Sequence, residues 1–143
     1  MSLVSTDWLY NNIDKVKIFD SSWHLPNENR NAFEEYRKGH IQGSIFFDID
    51  KYSDKKSDLP HMLPSKEEWE LFMSSLGVSN NDIIVIYDDS HLISSCRCWY
   101  TFLYFGHNQN SVFVLDGGLK KWKKENRETV KSKTNISKSR YFA

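Results

Sequence analysis

Residues 83–87 read IIVIY, and the polar residues Asp88, Asp89 and Ser90 follow them directly. Nearly every side chain in this run is apolar and most are β-branched, so both faces of the strand that it predicts must be covered. A strand of this kind is typical of the centre of a parallel sheet with helices on both sides. The run therefore predicts an α/β domain built around it.

The flanking sequence repeats an alternation of strand and helix. Further strands are predicted at residues 17–20 (KIFD), 44–49 (SIFFDI) and 112–115 (VFVL), with a candidate opening strand at residues 3–4. Helices are predicted after Ser5 or Thr6, over residues 32–38 up to Gly39, after a capping box of Ser65 with Glu68, over residues 98–105, and after Gly117-Gly118. We expect Gly39 to end its helix in the left-handed conformation. This order predicts a parallel sheet of four or five strands with helices on its flanks.

Composition limits the possible function. The chain has 143 residues, enough for one domain, and 19 basic residues balance 19 acidic ones. Without net charge it has no bulk attraction for nucleic acid, and its longest apolar runs are far too short to span a membrane. No secretory signal is visible, and two cysteines are too few for a disulfide framework. We therefore expect a cytoplasmic protein without nucleic-acid or membrane partners.

Ligands of open α/β sheets bind beyond the carboxyl ends of the strands. Here those ends carry acidic and small polar residues, in the segments 20–22, 48–50, 88–90 and 116–118. The loop after the central strand, which starts at Asp88, is the position where chemistry is expected. Cys96 and Cys98 stand two residues apart, without other ligands at zinc spacing, so no metal and no cofactor are expected.

Several motifs together resemble the rhodanese family. They are VSTDWL (4–9), FDSSWHLP (19–26), EYRKGHIQGS (35–44), FFDID (46–50), HMLP (61–64) and VLDGGLKKW (114–122). Gln42 stands where the family usually has proline. The resemblance implies a rhodanese-like domain over residues 1–125, similar to the non-catalytic N-terminal domain of tandem thiosulfate/3-mercaptopyruvate sulfurtransferases. The polar residues 126–143 are then expected to form a linker or tail.

Rhodanese chemistry requires a cysteine directly after the central strand, where a tight loop and a helix N-terminus stabilise its thiolate and persulfide. Here the position is degenerate, because Asp88 stands there. A carboxylate is a poor sulfur nucleophile and would repel an anionic donor. Arg97 also follows Asp88 by nine positions, farther than the resemblance implies for catalytic members. We therefore expect this chain to be catalytically incomplete alone.

The resemblance implies a supporting catalytic pair at Asp50 and His61. In mercaptopyruvate-type enzymes these positions serve a cysteine in a second rhodanese domain, which here would belong to the same gene product or to a separate chain. A carboxylate can fix a histidine tautomer, and the histidine can then move a proton near neutral pH. In the alternative, Asp50 only caps a turn and His61 is an exposed loop residue.

Other functions remain open. A degenerate rhodanese domain could act as a protein-binding or regulatory module, docking through the excess of aromatic residues at 99–105. Cys96 or Cys98 could carry sulfur or redox chemistry, although free cysteines are commonly buried small apolar residues. Phosphatase-like chemistry would need the same cysteine loop, so Asp88 argues against it.

Overall fold

A computed structural model describes residues 2–53, 63–90 and 94–143 of the chain. Its centre is a parallel sheet of five strands in the order β1-β5-β4-β2-β3. The strands are β1 (Leu3–Val4), β2 (Lys17–Asp20), β3 (Ser44–Phe46), β4 (Ile84–Tyr87) and β5 (Val112–Leu115). The apolar run at residues 83–87 contains the middle strand, β4, and all four residues of β4 are buried. The predicted α/β class and parallel sheet are confirmed.

The strand predictions differ from the structure mainly at β3. The strand ends at Phe46 rather than at Ile49, after pairing in register with β2 from Ser44 opposite Ile18. One further bond, from Phe47 N–H to Asp20 O at 2.8 Å, holds the chain as it leaves the sheet. The residues that follow belong to a turn, so the DID stretch at 48–50 lies beyond the strand.

Five helices lie in the described residues. They are α1 (Thr6–Asn12), α2 (Ala32–Lys38), α3 (Lys66–Ser75), α4 (Ser94–Tyr104) and α5 (Gly118–Lys124), with single 3-10 turns at Pro26–Glu28 and Gln109–Ser111. Ser5 caps α1, and Ser65 with Glu68 forms the predicted capping box of α3. None of these helices is long and apolar enough to cross a membrane.

Two helix predictions were wrong. Helix α4 begins at Ser94, four residues before the predicted start at Cys98. Gly39 ends α2 with a φ of 178°, which is extended backbone and not the left-handed conformation. Its lack of a side chain matters for another reason, because a Cβ there would lie 2.9 Å from Thr129 Oγ1. Gly39 thus permits the C-terminal part of the chain to pass close to the end of α2.

Alternate residues of the central strand serve two cores. Ile84 and Ile86 join an aromatic cluster around Trp69 of α3 and Phe102 of α4 on one face of the sheet. Val85 and Tyr87 join the other cluster, which includes Leu9, Leu119 and Trp122 of α1 and α5. Burying a large apolar side chain contributes roughly 1.5–3 kcal/mol. Both sheet faces are therefore anchored through β4, and its carboxyl end is held rigidly.

The segment 126–143 lies along the domain. Val130 forms an antiparallel bridge with His40, and both ring nitrogens of His40 face backbone carbonyls, Tyr36 O at 2.8 Å and Ser132 O at 2.9 Å. Farther on, Tyr141 is buried and its hydroxyl lies 2.9 Å from His107 Nδ1. Backbone contacts of this kind depend little on side-chain polarity, so a polar composition is compatible with an ordered path.

Candidate functional site

The carboxyl ends of β2, β4 and β5 meet at one edge of the sheet, as expected for parallel strands. Asp20 ends β2, Asp88 follows β4, and Asp116 follows β5. Asp20 is 3% exposed, whereas Asp88 is partly buried and Asp116 is exposed. The edge therefore carries three carboxylates that differ in burial, and the charges of the two more buried ones must be stabilised by neighbouring groups or suppressed by protonation.

Asp88 is held at the N-terminus of α4. The Ser95 backbone N–H donates to Asp88 Oδ2 at 2.9 Å, and the Ser94 hydroxyl donates to the same oxygen at 3.2 Å. The first N–H groups of a helix lack partners within the helix, and the helix dipole favours an anion there. The Asp88 carboxylate thus occupies the N-terminus of α4, the position at which the helix would otherwise bind an external anion.

The backbone of Asp88 is fixed from the other side by α5. Leu119 N–H donates to Asp88 O at 3.1 Å. Gly118, with φ at 61°, allows this approach, because a Cβ there would lie 2.7 Å from Asp88 O. Ser90 adds a hydroxyl contact of 2.9 Å to Ser94 Oγ. Strand β4, helix α4 and helix α5 all converge on this residue, so its position tolerates little movement.

Asp20 lies inside the edge and is the most perturbed carboxyl. Burial raises its pKa from 3.8 to about 6, and the charges of Asp88 and Asp89 act in the same direction. Hydrogen bonds from Ser22 oppose this rise, including one from its backbone N–H to Asp20 Oδ1 at 2.9 Å. Desolvation together with a nearby carboxylate is the combination that marks functional sites, although buried networks show it as well.

Arg30 neutralises the outer part of the edge. Its guanidinium binds Glu35 through two bonds of 2.9 Å and donates to Asp89 O at 3.1 Å. The Asp89 carboxylate lies 3.7 Å from the same guanidinium, and His24 Nε2 lies 3.0 Å from Glu35 Oε1. Burial alone would raise the pKa of Glu35, but the bonds from Arg30 and His24 outweigh it and lower that pKa. Arg30 therefore pairs with two acidic residues, Glu35 and Asp89.

A pocket of about 330 Å³ opens over this network, lined in part by Asp20, Ser22, Arg30 and Asp89. Small-molecule pockets usually have volumes of roughly 300–1,000 Å³. The pocket is therefore large enough for a small ligand. The described lining carries three acidic side chains, Asp20, Glu35 and Asp89, against three basic ones, Arg30, Lys38 and Lys123, and Arg30 is already engaged by Glu35.

The predicted supporting pair lies beyond β3. Asp50 is exposed, and its Oδ2 accepts a hydrogen bond of 3.4 Å from Trp23 Nε1. The carboxylate that caps the following turn is Asp48, which accepts from Lys51 N–H at 3.1 Å. The turn-capping role considered for Asp50 thus belongs to Asp48. His61 lies outside the described residues, so its distance to Asp50 stays a prediction.

Neither cysteine has the setting of a reactive thiolate. Cys98 is fully buried in the core, and burial raises its pKa well above the ordinary value. Burial also raises the pKa of Cys96, and the charge of Asp88 adds to the effect. Both residues lie within α4, which begins six positions after Asp88 and not at the predicted Cys98. No group of three metal-binding side chains occurs in residues 2–53, 63–90 and 94–143.

Sequence reasoning missed three contributors to this edge. Ser94 and Ser95 bind Asp88, but they precede the apolar periodicity of α4, so the sequence predicts them as part of the loop. Trp23, which donates to Asp50, stands 27 positions away from it. The two serines are the first residues of α4, and their acceptor lies six and seven positions earlier, so no short-range pattern marks this start of the helix.

The family model described as the Rhodanese-like domain matches residues 5–125. The chain belongs to the rhodanese-like domain family. It is 43% identical over 135 residues to thiosulfate/3-mercaptopyruvate sulfurtransferase 2 of Arabidopsis thaliana, an overlap of 93% of this chain and 39% of the plant protein. It is 40% identical over 125 residues to the 3-mercaptopyruvate sulfurtransferase of Escherichia coli K12, covering 85% and 44% of the two chains.

Solved structures confirm the rhodanese fold. SseA from Escherichia coli, described as a 3-mercaptopyruvate sulfotransferase, superimposes with a TM-score of 0.91 at 34% identity, over 100% of this chain and 56% of SseA. Tum1 from Saccharomyces cerevisiae follows with a TM-score of 0.86 at 31% identity, over 99% and 49%. The chain thus spans only part of the length of these relatives. The predicted resemblance to sulfurtransferases is confirmed at the level of a rhodanese-like domain.

Proposed function

We propose that this rhodanese-like domain is the N-terminal, non-nucleophilic half of a 3-mercaptopyruvate or thiosulfate sulfurtransferase. One observation carries the proposal. The position after the central strand, where rhodanese chemistry needs a thiolate at a helix N-terminus, holds the Asp88 carboxylate bound to Ser94 and Ser95. A bound carboxylate occupies the N–H groups that would stabilise a persulfide and cannot itself carry sulfur.

The missing cysteine would come from a second rhodanese domain, in the same gene product or as a separate chain. Its thiolate would attack the sulfur of the donor and form a persulfide as the donor's own bond to that sulfur breaks. Pyruvate would leave as its enolate and take up a proton, or sulfite would leave from thiosulfate, and the outer sulfur of the persulfide would then pass to a thiol or to cyanide. Asp50 and His61 would support this reaction, Asp50 by orienting the imidazole and His61 by moving a proton. The exposure of Asp50 favours this role, since a carboxylate at the surface can meet another domain.

Helix α4 offers a surface where such a domain could dock. Tyr100 is 51% exposed and Tyr104 is 59% exposed, and their ring centroids lie 6.2 Å apart. Exposed aromatic pairs of this kind are enriched in protein interfaces. The same pair supports the second candidate function, a degenerate domain that binds a partner without taking part in catalysis.

Reconstitution tests the proposal. The purified chain is mixed with the part of the Escherichia coli relative that this chain does not match. Sulfur transfer from 3-mercaptopyruvate to cyanide is then measured as thiocyanate. We expect no turnover from either part alone and turnover from the mixture. Asp50→Asn and His61→Ala should each lower turnover, while Asp14→Asn, a change at an exposed carboxylate elsewhere, should not.

The rival functions predict other outcomes. Turnover by the chain alone that disappears in Cys96→Ala or Cys98→Ala would contradict the proposal and assign the chemistry to a cysteine of this chain. Light scattering could also show a stable 1:1 complex that has no turnover, or whose turnover is unchanged by Asp50→Asn and His61→Ala. Either result would identify a binding module instead.

We also propose a cytoplasmic location. The support is chemical: both cysteines are free thiols, and Cys98 is buried where a disulfide could not reach it without unfolding the core. One relative, from Arabidopsis thaliana, is named as mitochondrial. Cell fractionation with antibody detection distinguishes the two compartments, and recovery in mitochondria would refute the proposed location.

A further inference from the structure

A second and larger pocket lies away from the carboxyl ends of β2, β4 and β5. It is a groove of about 730 Å³ between helix α2, the outer strand β3 and residues 131–136 of the C-terminal segment. Its floor is apolar and largely aromatic, made by Phe33, Tyr36, Ile45, Phe46 and Ile136. Phe33 is 49% exposed and Ile136 is 45% exposed, so the floor of the groove presents two large apolar side chains to solvent.

The rim of the groove is basic in a chain without net charge. It is lined by Arg37, Lys38, Lys131 and Lys133, and Glu34 is the only acidic residue among the lining side chains that the structure describes. Glu34 is already paired with Arg37 at 3.1 Å. Lys131 and Lys133 have no carboxylate within ion-pair distance in the described parts of the chain, and both are exposed. The local positive charge is therefore available to a ligand.

The walls of the groove are fixed by hydrogen bonds. Tyr36 Oη donates to Ser44 O at 2.5 Å, and Thr134 Oγ1 donates to the same carbonyl at 2.6 Å. The contact of 2.9 Å between His40 Nε2 and Ser132 O holds the basic segment beside α2. A preformed site lowers the entropy cost of binding, since its walls need not be ordered by the ligand.

We propose that this groove binds a small amphipathic anion, with an aliphatic or aryl body against the aromatic floor and an acidic head among the lysines. The volume lies in the range usual for small-molecule sites. Charge complementarity selects an anion. It also disfavours a second copy of the chain, because a two-fold contact through this face would place one basic rim against the other.

Anilinonaphthalene sulfonate, an aryl anion whose fluorescence rises in apolar surroundings, is the first probe. We expect saturable binding to the full chain, and displacement by dodecanoate but not by dodecyltrimethylammonium, which has the same chain with the opposite charge. Absence of saturable binding would overturn the proposal. Equal displacement by both compounds would do so as well, because it would show that the basic rim plays no part.

Variants place the site. Lys131→Glu with Lys133→Glu should weaken dodecanoate binding about tenfold, equivalent to about 1.4 kcal/mol. The matched control, Lys120→Glu with Lys124→Glu, makes the same charge change on exposed lysines of α5 and should leave the affinity unchanged. Ile136→Ser should also weaken binding by removing part of the floor.

Two further results would refute the proposal. One is an unchanged affinity in both groove variants while their circular dichroism shows a native fold. The other is a dimer in light scattering that disappears in Ile136→Ser, which would show that a second copy covers the groove. Since dodecanoate and its cationic counterpart are compared on the unaltered chain, the outcome does not depend on the folding of any variant.

Discussion

Replacing Asp20 by asparagine is expected to stabilise the domain, with a gain that grows with pH. The Asp20 carboxyl is 3% exposed and shares the sheet edge with Asp88 and Asp89. Burial, assisted by those two charges, raises its pKa from 3.8 to about 6. Asparagine keeps the oxygen that accepts the Ser22 N–H but carries no charge, so the unfavourable ionisation is removed.

The size of the effect follows from linkage. Because the folded pKa of Asp20 is the higher one, its protonated form stabilises the fold fully below pH 3.8, and this contribution is lost as pH rises through about 6. The gap between the two pKa values corresponds to about 3 kcal/mol of unfolding free energy. Asp20→Asn should therefore gain about 1.5 kcal/mol at about pH 5 and about 3 kcal/mol at about pH 8.

Urea unfolding followed by tryptophan fluorescence at both pH values measures this difference. Asp116→Asn is the matched control, since Asp116 also follows a strand at this edge but is exposed. Its unfolding free energy should stay within about 0.5 kcal/mol of the unaltered chain. A gain for Asp20→Asn that is the same at both pH values, or a loss at the higher one, would refute the reasoning that Asp20 ionises in a desolvated site.

Three further changes test the neighbourhood of the site and the C-terminal segment. Asp88→Ala should lower the unfolding free energy by about 1 kcal/mol in urea titrations, because α4 loses an acceptor at its N-terminus, and a loss as small as for Asp116→Asn would contradict that capping role. Gly118→Ala should lower the unfolding free energy by about 1 kcal/mol or more, because alanine is strained at a positive φ and its Cβ would clash with Asp88 O. An unchanged melting temperature would contradict the close approach of residue 118 to Asp88 O. Tyr141→Phe should cost about 1–2 kcal/mol by leaving His107 Nδ1 without its partner, and an unaltered unfolding midpoint would show that the segment does not pack there.

The predictable parts of this protein are those that a local pattern controls. Strands β2 and β5 occupy the residues predicted for them because short apolar runs between polar residues leave few alternatives. The start of α4 could not be read in the same way. Its N-terminal acceptor is Asp88, six positions earlier, and no apolar periodicity marks Ser94. The bond between Trp23 and Asp50 likewise depends on the tertiary fold and has no local signal.

The path of residues 126–143 shows a second limit of sequence reasoning. His40 is buried, and its two ring nitrogens contact two backbone carbonyls. The identity of the second carbonyl, that of Ser132, could not be predicted, because a backbone oxygen is the same in every residue type. Composition predicts how much a segment can bury by hydrophobicity, but it is silent about bonds made by the main chain.

Three carboxylates at the sheet edge are held inside the domain. Asp88 is bound by the first residues of α4, Asp89 lies beside Arg30, and Asp20 is desolvated with a pKa of about 6. An edge that holds these carboxylates has little free positive potential to attract an anionic sulfur donor or to stabilise a thiolate. Asp50 lies at the surface beyond β3, where it accepts a hydrogen bond from Trp23. This contrast supports the proposal that the domain contributes to sulfur transfer from its surface, toward a partner that brings the cysteine.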